Sequence, residues 1–457
     1  MEYRYRDASE MKDSGVEWIG KIPKEWDVSK FKYVSLLYTG NSIKDSEKDN
    51  YSSNENAYPY IGTKDIISDY NEINYNNGMY TKVDDNKFRV AEKGSTLICI
   101  EGGSAGKKLS YLNQRVSFVN KLCCIQSNKI YSKFQYYYCN CDSFKKEFSL
   151  NLSGLIGGVS INSLNNFRLV KPNLYEQEKI ANFLDKKTSQ FDLIISKKEG
   201  LIEKLEEAKK SLISEVVTGK VKVVKTDDGY ELVKRSSDEM KDSGVEWLGD
   251  IPKDWEVKRL RFLGKLQNGI SKASDQFGFG YPFVSYSNVY RNINLPENVD
   301  GLVNSTTEER KIYSVEEGDV FFTRTSETVE EIGFASTCME TIQDATFAGF
   351  LIRFRPSSNR LYKGFSKYYF RCDLNRKYFV KEMNLVTRAS LSQNLLNNLA
   401  VVLPSYEEQI DIYNILELKI GGINLFIDKL KYQIEKLKQA KQSLISEVVT
   451  GKIEILD

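Results

Sequence analysis

A segment in the middle of the chain returns almost unchanged at its end. Ala208–Lys220 reads AKKSLISEVVTGK and Ala440–Lys452 reads AKQSLISEVVTGK, so 12 of 13 positions are identical at a shift of 232. A second segment is repeated earlier in each half, because Met11–Val28 and Met240–Val257 match at 14 of 18 positions. The chain is therefore a duplication, and its fold has to contain two copies of one plan.

Each copy of the tail segment ends a stretch in which apolar side chains recur at alternating steps of four and three. This spacing predicts a helix with one apolar seam in each half, about 29 residues or roughly 43 Å long, that stops at a Thr-Gly pair. A second apolar row beside the seam indicates that each helix contacts something besides its twin. The predicted seam residues are Ile194, Lys198, Leu201, Leu205, Ala208 and Leu212, then Phe426, Leu430, Gln433, Leu437, Ala440 and Leu444.

A shorter helix is expected before each seam helix. It begins at Glu176-Gln177 in the first half and at Glu408-Gln409 in the second, shortly after a predicted strand that is closed by a proline. Lys187–Gln190 and Gly421-Gly422 predict a break between the short helix and the seam helix that follows it.

Two long stretches between the repeated segments share landmarks but differ widely in sequence. Runs at Tyr58–Ile61, Thr96–Ile100 and Val116–Ile125 predict strands joined by long loops, and Tyr281–Val284 repeats the first run. The predicted fold class is α+β, with two similar strand-rich domains separated by two long antiparallel helices in a pseudo-twofold repeat. The predicted boundaries are 1–171 for the first domain, 172–220 for the first helical spacer, 221–239 for a linker, 240–403 for the second domain and 404–457 for the second helical spacer.

Composition excludes several classes of protein. No run approaches the roughly 18 apolar residues of a membrane span, and the first residues lack the apolar segment of a signal peptide, so we expect a cytoplasmic protein with no membrane partner. The seven cysteines show no paired metal-ligand spacing and the chain has no histidine, which predicts reduced, partly buried thiols and no metal site. The absence of histidine also removes the usual general base.

Three repeated motifs occur together in this chain. They are the segment SGVEWIGKIPKEW, the Pro-x-x-x-Glu-Gln helix start and the ISEVVTGK helix end. Their combination and duplication closely resemble the specificity subunit of type I restriction-modification systems, over essentially the whole chain. The resemblance implies a DNA-reading subunit with two target recognition domains, each of which reads one half of a bipartite asymmetric site in double-stranded DNA, while the paired helices set the unread spacer.

The same resemblance implies partners. A specificity subunit docks two methyltransferase subunits, and restriction subunits can join the complex. S-adenosylmethionine, ATP and magnesium are expected only in those partners, with no cofactor in this chain.

The motifs of the partners' chemistry are absent from the sequence. An amino-methyltransferase of this kind needs an Asn/Asp-Pro-Pro-aromatic loop, and none of the eight prolines is adjacent to another. Gly102–Lys108 resembles a phosphate-binding loop but has the wrong glycine spacing, and Lys108 stands where a magnesium-binding hydroxyl would be. The sequence therefore predicts a non-catalytic subunit of a methyltransferase or endonuclease complex.

The two divergent stretches are mildly basic, which permits contacts with DNA phosphates. Lys30–Lys171 holds 19 Lys/Arg against 13 Asp/Glu, and Lys258–Leu403 holds 19 against 15. Lysines and backbone N–H groups of a loop can position phosphates, and an arginine can bind the guanine edge bidentately. For each candidate the alternative is a side chain that is solvated or paired within the protein. The candidate DNA-binding residues are Lys107, Lys108, Arg115, Lys121, Arg324, Thr325 and Arg388.

All four tryptophans lie in the repeated leading segments. Their spacing is that of anchors packed on a neighbouring surface, which is either the protein's own core or a docked partner. Tyr136–Tyr138 and Tyr368-Tyr369 match between the halves, which favours core helices over base stacking. The candidate partner-docking residues are Trp18, Trp26, Trp247, Trp255, Leu205, Leu212, Leu437 and Leu444.

Two other functions remain open. A duplicated coiled-coil scaffold or regulatory adaptor of a methyltransferase complex would bind no DNA. The net charge of only +2 favours it, and the divergence of the two bodies between matching frames argues against it. A nuclease would rely on scattered Glu-x-Lys matches, which arise by chance in a chain with 28% charged residues. Salt-sensitive, sequence-dependent DNA binding distinguishes a specificity subunit from a scaffold.

Overall fold

Two units of similar plan make up the computed structural model. It describes residues 2–67, 71–154, 157–227, 229–324, 332–383 and 391–456, except for the side chains of 380–383. Unit 1 consists of Met1–Gly200 with Leu430–Asp457, and unit 2 consists of Leu201–Lys429. Each unit thus combines a strand-rich domain with a part of both long helices.

Both long helices are continuous over 44 residues, from Leu174 to Val217 and from Tyr406 to Val449. The breaks predicted at Lys187–Gln190 and Gly421-Gly422 are therefore wrong, and each helix is about 66 Å long rather than 43 Å. A glycine in a helix costs about 1 kcal/mol relative to alanine. Burial of Ile420 and Ile427 on either side of the glycine pair offsets that cost.

The helix ends lie where the repeated motifs predict them. Asn173 Oδ1 accepts the backbone N–H of Glu176 (2.9 Å), and Ser405 Oγ accepts that of Glu408 (3.1 Å), so each start has a side-chain cap. After the last turn, Gly219 and Gly451 have φ angles of 75° and 76°, a left-handed conformation that suits glycine. The predicted Thr-Gly stop is confirmed in both helices.

The buried stripe of each long helix differs from the predicted seam. Ile194, Leu201, Ala208, Phe426 and Ala440 are exposed, although they were assigned to the seam. The neighbouring row is better buried, and it includes Ile195, Ile427, Ile434 and Ile445. The first turns explain this register. Ile180, Leu184 and Thr188 are buried, and the stripe continues from them at helical spacing.

The helical parts within unit 1 run antiparallel. Lys198 Nζ donates to Gln433 Oε1 (2.7 Å). Closer to the N-terminus of the first helix, Asp192 accepts from Nζ of Lys441 (2.6 Å). Lys441 is closer to the C-terminus of the second helix than Gln433 is, so the two helices run in opposite directions. In unit 2, Lys209 Nζ donates to Asn424 Oδ1 (3.0 Å).

The strand-rich domain of unit 1 contains two four-stranded sheets. The run Val116–Ile125 is two strands in different sheets rather than one, because the turn at residues 119–121 carries the chain from one sheet to the other. The first sheet has the order Leu109–Tyr111, Thr96–Cys99, Leu122–Ser127, Ser35–Thr39, and the second has the order Val90–Ala91, Val116–Phe118, Ala57–Ile61, Tyr80–Lys82.

Unit 2 repeats the four-stranded first sheet and three strands of the second. Both second sheets contain one parallel pair, Val116–Phe118 with Ala57–Ile61 in unit 1 and Thr346–Phe347 with Phe277–Val284 in unit 2. The predicted α+β fold class with two similar domains is confirmed. In unit 2 the first sheet has the order Ala335–Thr337, Val320–Thr323, Leu351–Pro356, Gly264–Asn268, and the second has the order Leu302–Val303, Phe277–Val284, Thr346–Phe347.

Short strand pairs form the frame of each unit. The segment predicted as a linker is a hairpin of Val221–Thr226 and Gly229–Lys234 that packs on the core of unit 2. Its counterpart in unit 1 pairs Tyr3–Tyr5 with Ile453–Ile455, so strands from both ends of the chain complete that unit. The other pairs are Met11–Asp13 with Lys21–Pro23, Asp27–Lys30 with Arg168–Lys171, Ile66–Ile67 with Glu72–Ile73, Met240–Asp242 with Asp250–Pro252, and Glu256–Arg259 with Ala400–Leu403.

Short helices complete the cores. Tyr138 and Tyr369 are fully buried on two of them, so the prediction that these tyrosines belong to core helices is confirmed. All seven cysteines are free and buried, as expected for reduced thiols. The helices are Phe31–Val34, Ser132–Asn140, Asp142–Leu150 and Ile161–Asn165 in unit 1, and Tyr286–Arg291, Thr307–Ile312, Lys363–Tyr369, Asp373–Met383 and Gln393–Asn398 in unit 2.

A glycine marks the place in each domain where the two sheets meet. A Cβ at Gly40 would lie 1.8 Å from the carbonyl oxygen of Phe118, and one at Gly269 would lie 2.2 Å from that of Phe347.

We expect Gly40→Ala to destabilise unit 1 by at least about 2 kcal/mol, because two backbones would have to separate. Urea unfolding of the full chain measures this loss. Gly103→Ala is the control, since its Cβ meets nothing within 4 Å, and an equal effect of both substitutions would contradict the prediction.

Candidate nucleic-acid interface

Three connecting segments of unit 1 lie together at one edge of its sheets. Val119 donates its backbone N–H to Ile61 O (3.0 Å), and Ile100 donates to Lys121 O (3.0 Å). The ammonium group of Lys108 donates to Thr63 O (2.9 Å). We call residues 62–65, 100–108 and 119–121 the loop edge of unit 1.

This loop edge is rich in lysine. Lys64, Lys107 and Lys121 are exposed, and Lys108 is half-buried. Burial raises the pKa of the Cys99 thiol, while Lys108 and Lys121 act in the opposite direction, which indicates that both ammonium groups lie near this strand end. The edge can therefore offer several cations to a phosphate backbone. Lys64 was missed in the sequence, although it lies three residues after a predicted strand.

Arg115 does not belong to the loop edge. It precedes the strand Val116–Phe118, whereas Lys121 follows that strand. Its Nε donates to Glu92 Oε2 (2.7 Å). Arg115 is therefore paired within the protein, which is the alternative to a DNA contact that the sequence left open.

Unit 2 has a corresponding loop edge, formed by residues 285–291, 324 and 348–350. Ala348 donates its backbone N–H to Val284 O (3.0 Å), and Arg324 donates its own to Phe350 O (3.0 Å). Arg324 is half-buried. Thr325 and Arg388, the other two candidates of this domain, lie outside the described residues.

The two loop edges are built on the same backbone hydrogen bonds. Each bond in unit 1 has a partner in unit 2 at the equivalent strand end, so the domains present different side chains from one scaffold. The pairs are Val119 to Ile61 with Ala348 to Val284, Ile100 to Lys121 with Arg324 to Phe350, Val159 to Ile100 with Leu391 to Arg324, and Asn41 to Phe118 with Ile270 to Phe347.

Two of the four tryptophans are anchors of the frame. Trp26 and Trp255 are each 1% exposed. The indole of Trp26 donates to Glu176 Oε2 (2.8 Å), and Arg6 donates to the other oxygen of that carboxylate (3.0 Å). In unit 2 the corresponding donors to Glu408 are Trp255 (2.9 Å) and Arg235 (2.8 Å). The docking hypothesis is therefore corrected for these two tryptophans, because the protein's own core covers them.

The glutamine of each Glu-Gln pair joins the long helix to the strand-rich domain. Gln177 Oε1 accepts the backbone N–H of Tyr131 (2.7 Å), directly before a domain helix, and its amide donates to Pro172 O (2.7 Å). Gln409 does the same with Tyr362 (2.8 Å) and Pro404 (3.1 Å). The glutamine of the repeated Pro-x-x-x-Glu-Gln motif therefore attaches each long helix to the strand-rich domain by hydrogen bonds.

The remaining docking candidates are less enclosed. Trp18 and Trp247 are half-buried, with Trp18 beside Glu147 and Trp247 against Tyr378 at 5.2 Å between ring centroids. The four leucine candidates are also half-buried. Leu212 packs on the core of unit 2 and Leu444 on that of unit 1, and the other two are Leu205 and Leu437.

Glu147 gives unit 1 a pH-dependent stability. Burial raises its pKa to about 7, although the backbone N–H of Arg168 donates to the carboxylate (3.0 Å). Because the folded state then holds the proton between pH 4.5 and about 7 while the unfolded chain releases it, stability falls as pH rises through this window.

We expect Glu147→Gln to be more stable than the parent by roughly 1–3 kcal/mol at pH 8 and not at pH 4.5. Denaturation midpoints at both pH values measure the difference. Glu101→Gln, at an exposed carboxyl, is the control. If the difference in stability between Glu147→Gln and the parent is the same at both pH values, the prediction is wrong.

Comparison with known proteins decides the family. A family model described as the type I restriction modification DNA specificity domain matches residues 23–207 and 252–436, which is more than half of the chain. The chain belongs to this family. It is a type I specificity subunit with two target recognition domains, and the resemblance seen in its repeated motifs is confirmed.

Two relatives match this specificity subunit along most of their length. The EcoKI specificity subunit of Escherichia coli K12 is 21% identical over 460 residues, covering 95% of this chain and 90% of that one. The MjaVIII specificity subunit of Methanocaldococcus jannaschii is 27% identical over 451 residues, covering 95% and 94%. A chain from a solved structure on assembly and conformational transition of the type I R-M system shares the fold, with a TM-score of 0.68, 14% identity, and coverage of 94% and 99%.

Specificity subunits are non-catalytic, which supports the prediction that this chain is not an enzyme. Among the described residues, no group of three or more His, Cys, Asp or Glu side chains could hold a metal ion. No helix in the described part of the chain has a stretch apolar and long enough to cross a bilayer.

Proposed function

We propose that each recognition domain of this specificity subunit reads one half of a bipartite asymmetric site in double-stranded DNA through its loop edge. The observation that carries the proposal is the shared scaffold of the two edges. Identical backbone hydrogen bonds hold different side chains at equivalent positions, which is how one fold can recognise two sequences. A loop that projects from a sheet edge can enter the major groove, where all four base pairs are distinguishable.

Different residues of the edges suit different contacts. The exposed lysines Lys64 and Lys107 are proposed to bind phosphates, which fixes orientation without reading sequence. Lys107 and Lys108 both donate within the protein, to Gly103 O (3.3 Å) and to Thr63 O (2.9 Å), and Lys108 is the less exposed of the two. Arg324 is proposed to bind a guanine edge, and Thr325 and Arg388 are also proposed to contact DNA. Arg115 is the weakest candidate, because it is paired with Glu92.

The long helices are proposed to set the spacer and to dock two methyltransferase subunits, which restriction subunits can join. Apolar side chains that face solvent support the docking role, because an exposed apolar row marks a contact surface. S-adenosylmethionine, ATP and magnesium are assigned to those partners. Exposed apolar residues of the two helices include Leu174, Leu193, Ile194, Leu201, Leu418, Leu425 and Phe426.

Selection from a random DNA pool tests the proposal. The chain, co-purified with the methyltransferase subunit of its host system, is expected to enrich two short motifs separated by a fixed gap. Insertion of one base pair into the gap is expected to abolish most of the binding, and higher salt is expected to weaken it. A stable complex that enriches no sequence would contradict the proposal and favour a scaffold that binds no DNA.

A further inference from the structure

The turn between the two sheets carries a lysine in one domain and a phenylalanine in the other. Lys121 and Phe350 occupy equivalent positions, because the carbonyl oxygen of each accepts a 3.0 Å hydrogen bond from the residue directly after the neighbouring strand, Ile100 or Arg324. Both side chains are exposed, and the Phe350 ring is 64% exposed. The equivalence makes this turn a place where the two domains differ on one backbone.

The turn that carries Phe350 is held firmly. Leu351 donates its backbone N–H to Ala348 O (2.9 Å), and Gly349 donates to Ile270 O (2.8 Å). Gly349 also packs closely on the neighbouring segment, since a Cβ at this position would lie 2.6 Å from Ser271 Oγ and 3.1 Å from Ile270 O. Backbone hydrogen bonds on both sides of Phe350 therefore fix the position from which its aromatic ring faces solvent.

The chemistry of the two side chains points to different bases. A phenyl ring has no donor or acceptor, and the only apolar group on the major-groove edges of the bases is the C5-methyl of thymine. A lysine can donate to guanine O6 and N7. Arg324 is the hydrogen-bonded neighbour of Phe350 and is itself suited to guanine, so a thymine contact and a guanine contact are expected in the same half-site.

We propose that the turn position of Lys121 and Phe350 determines specificity, with Phe350 contacting a thymine methyl group and Lys121 contacting guanine. The inference rests on the proposed function, because it assumes that the loop edges meet the major groove. Phe350 is not among the DNA-binding residues predicted from the sequence, and the same turn position has different base preferences in the two domains.

Deoxyuracil lacks the C5-methyl group of thymine and therefore tests the contact directly. In the co-purified complex, replacement of single thymines in the selected site by deoxyuracil is expected to weaken binding about fourfold at one position, the loss that follows from one methyl group. Phe350→Ala is expected to weaken binding to the thymine site by at least that factor and to bind thymine and deoxyuracil sites equally.

Phe262→Ala is the matched control. Phe262 is 68% exposed in the same unit but lies in a turn, Leu260–Phe262, outside the loop edge. Its substitution is expected to leave both the affinity and the sensitivity to deoxyuracil unchanged. Thermal midpoints of both variants are expected to match the parent, because both rings are exposed.

Phe350→Lys tests the base preference. Selection with this variant is expected to change one position of one half-site from thymine towards guanine and to leave the other half-site unchanged. If the parent selects a split motif and both Phe350 variants keep the parent's motif and deoxyuracil sensitivity, the inference is overturned and the proposed function stands. If the parent complex selects no motif, both are overturned.

Discussion

Trp255→Ala is expected to destabilise unit 2 by about 3–5 kcal/mol and to leave unit 1 folded. The indole is 1% exposed, and it lies against the left-handed turn at Gly219, where a Cβ would be 3.0 Å from the ring. Its loss leaves a cavity and removes one donor from the half-buried carboxylate of Glu408. Burial already raises the pKa of Glu408, and the Trp255 hydrogen bond opposes that shift.

Hydrogen exchange of the full chain, followed by mass spectrometry of peptides, measures this effect unit by unit. Amides of residues 240–403 are expected to lose protection in Trp255→Ala, whereas those of residues 27–171 keep it. Trp26→Ala is the matched variant and is expected to show the reverse pattern, since Trp26 donates to Glu176 in unit 1. If either substitution lowers the protection of amides equally in both units, the two units do not unfold independently.

Exchange of residues 30–171 for the corresponding stretch of another specificity subunit is expected to change one half-site completely and to preserve the other. The stretch enters and leaves its unit at adjacent points, because Lys30 pairs with Arg168 and Asp27 with Lys171 in neighbouring antiparallel strands. A replacement of similar topology can therefore connect to the same frame without moving the helices.

Selection from a random DNA pool with this chimera, beside the parent, measures the outcome. The half-site read by unit 2 and the length of the gap are expected to stay as in the parent. An exchange of the second stretch, 258–403, provides the reciprocal control. If a single exchange changes both half-sites, or the length of the gap, then the domains do not each read one half-site independently.

The parts of the fold that local signals specify were predicted well. The starts and ends of the long helices follow from a capping side chain, an acidic first turn and a glycine stop, which act within a few residues. The α+β class followed from strand-like runs beside helices with an apolar seam, and the two similar domains followed from the duplication. The boundaries predicted between domains and spacers stay predictions, as do the candidate contacts with DNA and partners.

The features that were missed depend on distant residues. The buried stripe of each long helix is fixed by its first turns, where Ile180 and Ile412 pack on the cores of their units. Trp26 could be assigned to a core or to a partner, and the carboxylate that decides between them lies 150 residues away, at Glu176. Phe350 lies in the run FAGFLIRF, which has the composition of a buried strand, and only its hydrogen-bonded turn shows that it faces solvent.

The adenine-methylation pattern of DNA shows whether this chain gives a methyltransferase its sequence specificity. The comparison is between cells that carry this chain with the methyltransferase subunit of its host system and cells that carry the methyltransferase subunit alone. We expect a new methylated motif of two short parts separated by a fixed gap, present only in cells that carry the chain. A stable complex of the two proteins with no new methylated motif would contradict this expectation.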